Sequence, residues 1–577
     1  MRFSRSTVIG LSTGLALVIT VCGWKINWFL TDDAFITFRY ASNWVSGIGP
    51  TWNPPPFAHI EGYSNFSWLV ILSSIWCVFG IEPPQIANWL LLMFGLGSVL
   101  LCARWLAKLT VSSAGGMASG LIFLLALLLI TTNKSFLTWL SSGLETSLFT
   151  LLVLGWSYAL CGNGGSLSAI RWRSAVFFAA LAALTRPDGL LFWAVTVGAL
   201  FLSSLISSRI CLSAQKKWHV LLALLIVPLH LLWRHYYYHD WLPNTYYAKV
   251  HSPWYSMGLR YLLSYFIEYA LYVPLILMTV CVYLLRKSRP TSDLLGVGIV
   301  LGCVVLQVAY YTLVVGGDHF EYRIFHHLIP LIVIAAVGML SITKKISRIA
   351  VGVLLFWLVA QGAIPWAHWY FTRNLDTRWQ TLGMTVPIAK EFPAPIRPVV
   401  ALWDRLQATM IAHAVGMRHQ EHKIFYLFQR ATFPPRAVGA GSPWSDRNVL
   451  ALGSVGVPGW VYPNTAIIDV AGLNDRVLAK QSFMLHPVER KMAHDICASR
   501  QYLDCYRPNM RSTKEQIDYY LSVLGHRHLA LDMPEGDQKM WLQPSLRVEP
   551  LTDQIIVACE TRKWSPDELY AKGFYWY

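Results

Sequence analysis

Charged residues are scarce in this chain. Asp, Glu, Lys and Arg make up 14% of its 577 residues, while 55% of the residues are hydrophobic. The mean hydropathy is +0.43. A soluble domain of ordinary composition carries about 25% charged residues. The shortage of charge therefore excludes an ordinary soluble protein and predicts a membrane protein.

Several motifs are absent as well. The sequence has no GxGxxG or GxxxxGK(S/T) loop for a nucleotide, no CxxC or Cys/His spacing typical of a metal centre, and no internal repeat. Most of the ten cysteines lie in or beside apolar blocks, where cysteine packs as a small hydrophobe. Cys497 and Cys505 lie in polar sequence, where they form a disulfide only in an oxidising compartment. The sequence leaves both redox states of this pair open.

Long apolar blocks dominate what is present. Many are about 20 residues long, which is the length that crosses a hydrocarbon core of about 30 Å. The 26 Trp and 27 Tyr suit the aromatic belts at membrane interfaces. Residues 1–30 resemble a signal peptide, but no small-x-small cleavage site precedes the first polar loop. We interpret this block as the first spanning helix, which is retained.

The formal net charge of +16 is concentrated in the short gaps between apolar blocks. These gaps contain almost no Asp or Glu, with Asp293 as the exception. The basic residues in or beside them are Arg2, Arg5, Arg104, Lys108, Arg171, Arg173, Arg209, Lys216, Lys217, Arg286, Lys287, Arg289, Lys344, Lys345 and Arg348. Positive charge in short loops marks the cytoplasmic side and suits anionic membrane lipids. The pattern predicts a bacterial inner-membrane protein with a cytoplasmic N-terminus and no nucleic-acid partner.

Taking the basic gaps as cytoplasmic predicts eleven crossings. Their approximate ranges are 7–29, 86–103, 116–132, 143–161, 174–185, 190–207, 218–235, 263–285, 292–315, 326–341 and 347–366. The apolar block 66–81 is long enough to span, but a crossing there would place every later basic gap on the wrong side. We therefore expect 66–81 to be re-entrant or to lie along the interface.

Ordinary soluble composition begins near residue 367. Short β-like runs alternate there with helical or loop stretches. These runs are 398–403, 448–453, 466–471, 528–533 and 554–559. The sequence thus predicts a polytopic α-helical membrane domain over 1–366, with outer-face loops, and an extracytoplasmic mixed α/β domain over 367–577.

Polar residues collect in the predicted outer loops, beginning with the adjacent carboxylates of Asp32 and Asp33. Charged groups at the membrane end of a helix are costly unless they are used. One carboxylate can take the proton of an attacking hydroxyl, or the pair can hold a divalent cation such as Mg²⁺ or Mn²⁺ against a phosphate. The alternative is a structural role as the N-cap of the following helix.

Other outer-loop residues are of types that bind sugars, with carboxylates and amides for the hydroxyl groups and aromatic rings for the sugar face. They are Glu61, Tyr63, Asn65, Glu145, Asp188, Asn244 and Asp318. Arg186 and Asp188 stand in a tight Arg-Pro-Asp-Gly turn. The alternative for these two is a local ion pair that closes the turn.

Basic residues of the same loops are candidates for holding a lipid phosphate. Arg binds phosphate in a bidentate manner and Lys binds it as a point charge, which points to Arg323, Lys249 and Arg234. The alternative is that such residues extend to lipid headgroups without a specific role. His326 and His327 have no third ligand at a fixed spacing, so they do not predict a metal site.

The outer-loop motifs follow one another in an order that resembles one family of GT-C glycosyltransferases. They are TDDAFITFRY (31–40), WNP (52–54), EGYSNFSW (61–68), SGLET (142–146), LTRPDG (184–189), LPNTYYAKV (242–250) and VGGDHFEYR (315–323), with a further counterpart in IIDVAGLNDRVLA (467–479). The chain resembles the terminal β-arabinofuranosyltransferases of the mycobacterial cell wall and their Gram-negative relatives.

This resemblance implies an outward-facing active site under the first loop, an essential pair at Asp32 and Asp33, and a polyprenyl-phosphate donor. In the best-known members the donor is decaprenyl-phosphoryl-arabinofuranose. One segment departs from the family pattern, since GGDHFEYR (316–323) stands where GGD-(F/W)-M-x-x-R is expected. The Asp and the Arg are kept and the middle is changed. The departure leaves the identity of the sugar open.

We therefore predict a glycosyltransferase that moves a sugar, arabinofuranose by resemblance, from a polyprenyl-phosphate donor to a cell-envelope polysaccharide, a lipid-linked glycan or a pilin-like protein. Asp33 or Asp32 acts near the acceptor hydroxyl, and Arg323 with Lys249 or Arg234 holds the phosphate. The stereochemistry stays open.

Two alternatives come from other classes of protein. The first is a transporter or flippase of a lipid-linked sugar, and the second is a structural membrane subunit. Transporters often carry charges on broken mid-membrane helices, whereas here the charges lie at the outer ends of helices. A structural subunit would not require an acidic pair at a helix exit.

Overall fold

The structure is a computed structural model, and it describes residues 4–55, 57–111, 117–167, 169–206, 217–250, 252–285, 294–342, 347–441, 449–480 and 490–493. Within these ranges the chain is mostly α-helical with one two-stranded sheet. The predictions about Cys497 and Cys505, and about the runs 528–533 and 554–559, fall outside the described residues.

Helices make up most of the described chain up to residue 372. In order they are α1 (Arg5–Ile26), α2 (Asp32–Val45), α3 (Phe66–Phe79), α4 (Pro83–Val111), α5 (Met117–Thr131), α6 (Lys134–Thr138), α7 (Thr146–Cys161), α8 (Trp172–Thr185), α9 (Gly189–Ile206), α10 (Lys217–Tyr238), α11 (Asn244–Lys249), α12 (Tyr255–Glu268), α13 (Tyr272–Leu285), α14 (Leu295–Ala309), α15 (Leu328–Ile342) and α16 (Ser347–Thr372). A π-helical turn, Tyr310–Val315, extends α14. Long apolar blocks favour helix because a helix satisfies its backbone polar groups internally.

Several of these helices suit a membrane. Among the described residues, those long and apolar enough to cross are Arg5–Ile26, Pro83–Thr110, Leu295–Val315 and Ile349–Thr372. The shorter apolar helices are Phe66–Phe79, Ala118–Thr131, Thr146–Cys161, Trp172–Thr185, Gly189–Leu205 and Leu328–Ser341. The chain is a multi-pass membrane protein. The total of eleven crossings and the interfacial course of 66–81 stay predictions.

The predicted single helix over 263–285 is wrong. The structure has α12 and α13 there, and their axes meet at 83°. At the bend, Ala270 adopts a φ of 49°, and the N–H of Leu271 bonds to the carbonyl of Phe266 instead of continuing the α-helical pattern. The break ends α12 at Glu268, which is buried against Arg418. A buried ion pair thus occupies the place where an uninterrupted apolar helix was expected.

Further helices and two strands follow α16. They are α17 (Arg378–Thr381), a 3-10 turn (Ala389–Glu391), α18 (Arg397–Ala412), α19 (His419–Thr432), α20 (Arg436–Ala440), β1 (Val449–Leu452), α21 (Gly456–Val461), β2 (Ala466–Asp469) and α22 (Arg476–Ala479). The two strands pair in parallel, with Val449 opposite Ala466. The predicted runs 448–453 and 466–471 therefore form strands, and the α/β domain as a whole stays a prediction.

The predicted strand at 398–403 is wrong, because these residues lie in α18. Pro398 stands in the first turn of this helix, where its missing N–H costs nothing. Val400, Trp403 and Gln407 are buried at helical spacing. A short apolar run does not by itself distinguish a strand from a buried helical segment.

The segment 449–480, which we call the C-terminal segment, packs directly on α2. The two share one hydrophobic core. Arg39 of α2 is fully buried, and its guanidinium donates hydrogen bonds to three backbone carbonyls of this segment. These belong to Gly459 (2.7 Å), Tyr462 (3.1 Å) and Thr465 (2.7 Å). The first outer loop is thereby joined to a part of the chain far away in sequence.

Candidate active site

The predicted outer loops enclose a cavity of about 520 Å³ beside the first turn of α2. Most of the residues predicted for the site line it, namely Asp33, Tyr63, Asn65, Glu145, Asp188, Lys249, Asp318 and Arg323. The others do not line it, namely Asp32, Glu61, Arg234 and Asn244. Six separate stretches of the chain thus bring polar groups to one space, which we call the large cavity.

Asp32 and Asp33 begin α2, but neither is its N-cap. The cap is Thr31, whose side-chain oxygen accepts the N–H of Ala34 at 3.2 Å. The structural alternative raised from the sequence, a cap of this helix, is therefore wrong for both aspartates. The carboxylate of Asp33 faces the large cavity and has no hydrogen bond or ion pair among the described residues.

Asp32 is directed to the C-terminal segment instead. Its Oδ1 and Oδ2 atoms accept the N–H groups of Val457 (2.7 Å) and Gly456 (3.2 Å) at the start of α21. Burial raises the pKa of Asp32 to about 7, although the N–H of Val457 opposes the shift. Asp32 therefore holds the C-terminal segment on α2.

A divalent cation does not fit this pair well. Mg²⁺ is held by one or two carboxylates together with phosphate oxygens, and both oxygens of Asp32 already accept backbone N–H groups. Within the described ranges, no group of three or more His, Cys, Asp or Glu side chains could hold a metal ion. Of the pair, only Asp33 has oxygens free of protein partners among the described residues.

Lys249 ends α11 and lines the large cavity with Asp33. In the part of the chain that the structure describes, its Nζ atom has no hydrogen bond or ion pair. Burial lowers the pKa of Lys249, while Asp33 and Asp318 oppose the shift. A half-buried ammonium group without a carboxylate partner favours the binding of an anion.

Arg323 is oriented by a bidentate contact with Asp318. Nε and Nη2 of Arg323 lie 2.8 and 3.1 Å from the two carboxylate oxygens. Gly316 and Gly317 shape the turn that precedes Asp318, with φ values of 92° and 105° that only glycine adopts readily. The Nη1 group of Arg323 keeps no partner among the described residues, so it can donate to a ligand in the large cavity.

The predicted pair of Arg186 and Asp188 is present, with Nε 3.0 Å from Oδ1. The guanidinium also lies 3.2 Å from Glu145, which in turn accepts a hydrogen bond from Asn65 at 2.9 Å. Gln307 donates to the second oxygen of Asp188 at 2.7 Å. The turn is therefore closed by a local ion pair, as the alternative proposed. It also belongs to a network that forms one wall of the large cavity.

Three predicted site residues are bound elsewhere. Glu61 pairs with Arg234 at 2.6 Å, and Arg234 lines a separate small space between α8 and α10. Asn244 donates to the backbone carbonyls of the C-terminal segment, at Gly472 (2.9 Å), Leu473 (3.0 Å) and Asp475 (3.1 Å). The structure thus does not bring Glu61, Arg234 or Asn244 to the large cavity. It places them in the joints that hold the loops around it.

The two neighbouring histidines are held by hydrogen bonds within the chain. His326 bonds through Nδ1 to the carbonyl of Arg323 at 2.5 Å and through Nε2 to Thr150 at 2.8 Å. His327 bonds through Nε2 to Gln307 at 3.0 Å. Both rings orient the loop that carries Arg323.

Sequence reasoning missed a buried charge network behind the large cavity. Glu321 lies 3.2 Å from Lys134 and 3.1 Å from Arg418, and Arg418 lies 3.0 Å from Glu268. Burial would raise the pKa of Glu321, but Arg418 and Lys134 outweigh it and hold this pKa below its usual value. Lys134 is a charged residue at the end of an apolar block and Glu268 is one inside a block, and this was the signal that could have revealed the network.

Two further residues of the large cavity carried no motif. Gln307 and Tyr311 line it from the end of α14 and the π-helical turn. They lie inside the predicted crossing 292–315, and polar side chains within an apolar block were the signal for them.

No family model matches the chain. Over 402 residues it is 26% identical to the terminal β-(1→2)-arabinofuranosyltransferase of Mycobacterium tuberculosis (strain ATCC 25618/H37Rv), and the alignment covers 62% of this chain and 60% of that protein. This match confirms the resemblance that the loop motifs predicted.

Two solved structures were also found. They are ArnT from Cupriavidus metallidurans bound to undecaprenyl phosphate (12% identity, TM-score 0.49) and the same protein in the apo state (13% identity, TM-score 0.48), each covering 82% of this chain and 87% of the other.

Proposed function

We propose that this chain is a membrane glycosyltransferase that moves a sugar from a polyprenyl-phosphate donor to an acceptor hydroxyl. One observation carries the proposal. A carboxylate and two cationic groups without full protein partners among the described residues, those of Asp33, Lys249 and Arg323, line the same cavity. Transfer from a phosphate to a hydroxyl requires a base for the hydroxyl proton and positive charge for the departing phosphate.

The proposed reaction assigns a role to each of these groups. The acceptor oxygen forms a bond to the anomeric carbon, while the bond between that carbon and the phosphate oxygen breaks. The acceptor proton passes to Asp33, and the electron pair of the broken bond goes to the phosphate. Lys249 and Arg323 stabilise the negative charge that grows there. A single displacement inverts the anomeric carbon, and retention requires two displacements through a covalent intermediate.

The walls of the large cavity also suit a lipid-linked substrate. Leu190 and Leu191 at the start of α9 and Leu306 at the end of α14 line it together with the charged groups. Apolar walls on membrane helices suit a polyprenyl chain, and the charges suit the sugar phosphate. A donor that is half lipid and half anion matches this division.

The nature of the sugar rests on the arabinofuranosyltransferase match. We propose arabinofuranose as the transferred sugar, since the relative is named for it. We also propose a GT-C architecture with its active site on the outer face, and a cell-envelope glycan, a lipid-linked glycan or a surface protein as the acceptor. Each of these is testable apart from the general activity.

The transporter alternative is less well supported by the geometry. Transporters bind their cargo near the bilayer midplane, at discontinuous helices. Here the polar groups come from loops and helix ends around the first turn of α2. Transport breaks no bond, so it does not require a proton acceptor such as Asp33 beside the phosphate-binding groups.

The direct test is transfer by the purified protein. The probe donor is polyprenyl-phosphoryl-arabinofuranose in detergent, and the product to measure is free polyprenyl phosphate. We expect release that is faster with acceptor and absent without protein. A protein that stays folded but releases none would contradict the proposal. Mass spectrometry of envelope glycans and surface proteins from a deletion strain then identifies the acceptor.

A further inference from the structure

A second, smaller cavity of about 70 Å³ adjoins the large one at Asp33. Asp33, Ile36, Lys249 and Leu473 line both spaces. A water molecule needs about 10–15 Å³ in this measure. The small cavity therefore has room for several water-sized groups, which is enough for two neighbouring hydroxyl groups of one ligand.

The acidic residues of the small cavity other than Asp33 are already engaged. Asp469 accepts the backbone and side-chain N–H groups of Asn474 at 3.0 and 2.9 Å. Asp32 accepts the backbone N–H groups of Gly456 and Val457 at the start of α21. His422 differs from them. It is 8% exposed, and its Nε2 atom has no partner among the described residues. A buried polar nitrogen without a hydrogen bond is unfavourable, so this atom indicates a missing ligand.

The His422 ring is fixed in its place by its neighbours. It packs on Phe320 with 4.3 Å between the ring centroids and on His319 with 5.3 Å. Burial holds the pKa of His422 well below its usual value, so the ring is neutral. A neutral ring held in this way presents Nε2 in one direction, which suits recognition of a hydroxyl group.

We propose that the small cavity is the acceptor subsite and that His422 is an acceptor-binding residue. This inference rests on the proposed function and names the substrate class of the same site. The acceptor is a carbohydrate whose reacting hydroxyl lies at Asp33 and whose second, nearby hydroxyl bonds to Nε2 of His422. The donor occupies the large cavity, so the two substrates meet at Asp33.

Two features of the small cavity agree with this assignment. Gly453, which lines it, is exposed, so the cavity has a wall at the protein surface. His319 also lines it and adds a second imidazole to its wall. A polar wall of this kind suits an acceptor that bears hydroxyl groups.

The test compares acceptors as well as variants. The probes are octyl arabinofuranoside and its deoxy analogues, each of which lacks one hydroxyl group. The variants are His422→Phe, which removes the nitrogen, and His422→Gln, which keeps a hydrogen-bonding group. His413→Phe is the matched control, because His413 lies outside both cavities and bonds to its own helix. Release of polyprenyl phosphate is measured with and without acceptor.

We expect His422→Phe to raise the acceptor KM about 2- to 10-fold, as for the loss of one hydrogen bond, with the donor KM and the acceptor-free hydrolysis rate unchanged. His422→Gln should recover part of this loss. One deoxy analogue should be a poorer acceptor for the wild type and no poorer than the parent for His422→Phe. That coupling would not arise from a merely structural role.

Three results would count against the proposal. Release of polyprenyl phosphate with an unchanged acceptor KM in His422→Phe would overturn the subsite and leave the transferase intact. Donor hydrolysis that octyl arabinofuranoside does not accelerate would overturn the carbohydrate assignment. A folded wild-type protein that releases no polyprenyl phosphate would overturn the proposed function itself.

Discussion

Oδ1 of Asp32 lies 2.7 Å from the backbone nitrogen of Val457, 425 positions further along the chain. The next residue of the same helix, Asp33, faces the two cavities. Neighbours in a helix point about 100° apart, and here that angle separates two roles. Asp32 holds the C-terminal segment in place, and Asp33 is the carboxylate available to a ligand of the two cavities.

Replacing Asp33 by Asn should abolish transfer while the protein stays folded. The carboxylate has no partner among the described residues, so the fold loses nothing, whereas a lost general base costs about 10²–10⁴-fold in rate. The rate of polyprenyl phosphate release measures the effect. Asp376→Asn is the control, because Asp376 is an exposed residue away from both cavities. Wild-type rates for Asp33→Asn would remove the proposed base.

Replacing Asp32 by Asn should also impair transfer severely, but through structure. An amide NH2 group cannot accept the second backbone N–H of α21. We expect a lower thermal unfolding temperature in detergent and faster proteolysis of the C-terminal segment, both absent from Asp33→Asn. An Asp32→Asn protein with normal stability and lost activity would assign Asp32 to the chemistry instead.

The two cationic groups should affect the donor differently. Arg323→Ala should raise the donor KM or abolish transfer, and Arg323→Lys should recover only part, because Lys cannot reproduce a bidentate geometry. Lys249→Met should raise the donor KM and leave stability unchanged, since Lys249 has no partner among the described residues. Arg234→Met is the comparison variant. Because Arg234 pairs with Glu61 away from the large cavity, this change should leave the donor KM unaltered. Unchanged donor kinetics in Arg323→Ala would remove Arg323 from the site.

Topology is tested by fusing a reporter that is active only outside the cytoplasm. We expect activity after Ile81, none after Ser113, and activity at the C-terminus, because 66–81 should not cross and the basic gap near 104–108 should be cytoplasmic. The reverse pattern at the first two positions would show that 66–81 spans. An inactive reporter at the C-terminus would place residues 367–577 in the cytoplasm.

The buried charge network should be important for stability. Glu268 accepts hydrogen bonds from Arg418 at 3.0 Å and from Tyr322 and Trp403 at 2.9 Å. Glu268→Ala leaves Arg418 short of a partner, and breaking a buried pair costs about 3–5 kcal/mol. The unfolding temperature in detergent should fall sharply, and the exposed Glu391→Ala should leave it unchanged. A small effect of Glu268→Ala would mean that water or Glu321 satisfies Arg418.

The composition of the large cavity was predictable because its residues come from loops at one face. Asp33, Glu145, Asp318 and Arg323 lie at ends of apolar blocks, and alternation of helix direction brings such ends together. The sequence predicted that these residues share one face of the membrane, and the structure brings them to one cavity. No single contact had to be known in advance.

The contacts that were not predictable join residues distant in sequence. Asn244 binds carbonyls of the C-terminal segment more than 200 positions away, as at Gly472, and nothing in the local pattern indicates this partner. Arg234 was expected at the phosphate because it is basic and interfacial, but Glu61 from another loop neutralises it. Charge identifies groups that need a partner, and only the fold decides which partner they obtain.

Arg39 makes the candidate active site depend on a late part of the chain. Three of its acceptors lie 420 to 426 positions later in the chain. Until those carbonyls arrive, the guanidinium has to stay in water, because burying an unpaired charge is prohibitively costly. The first turn of α2 is among the earliest residues made, yet the buried contacts of its helix are complete only after Thr465 has been synthesised. Contacts of such long separation form slowly, so we expect a chain that ends before Gly459 to be inactive.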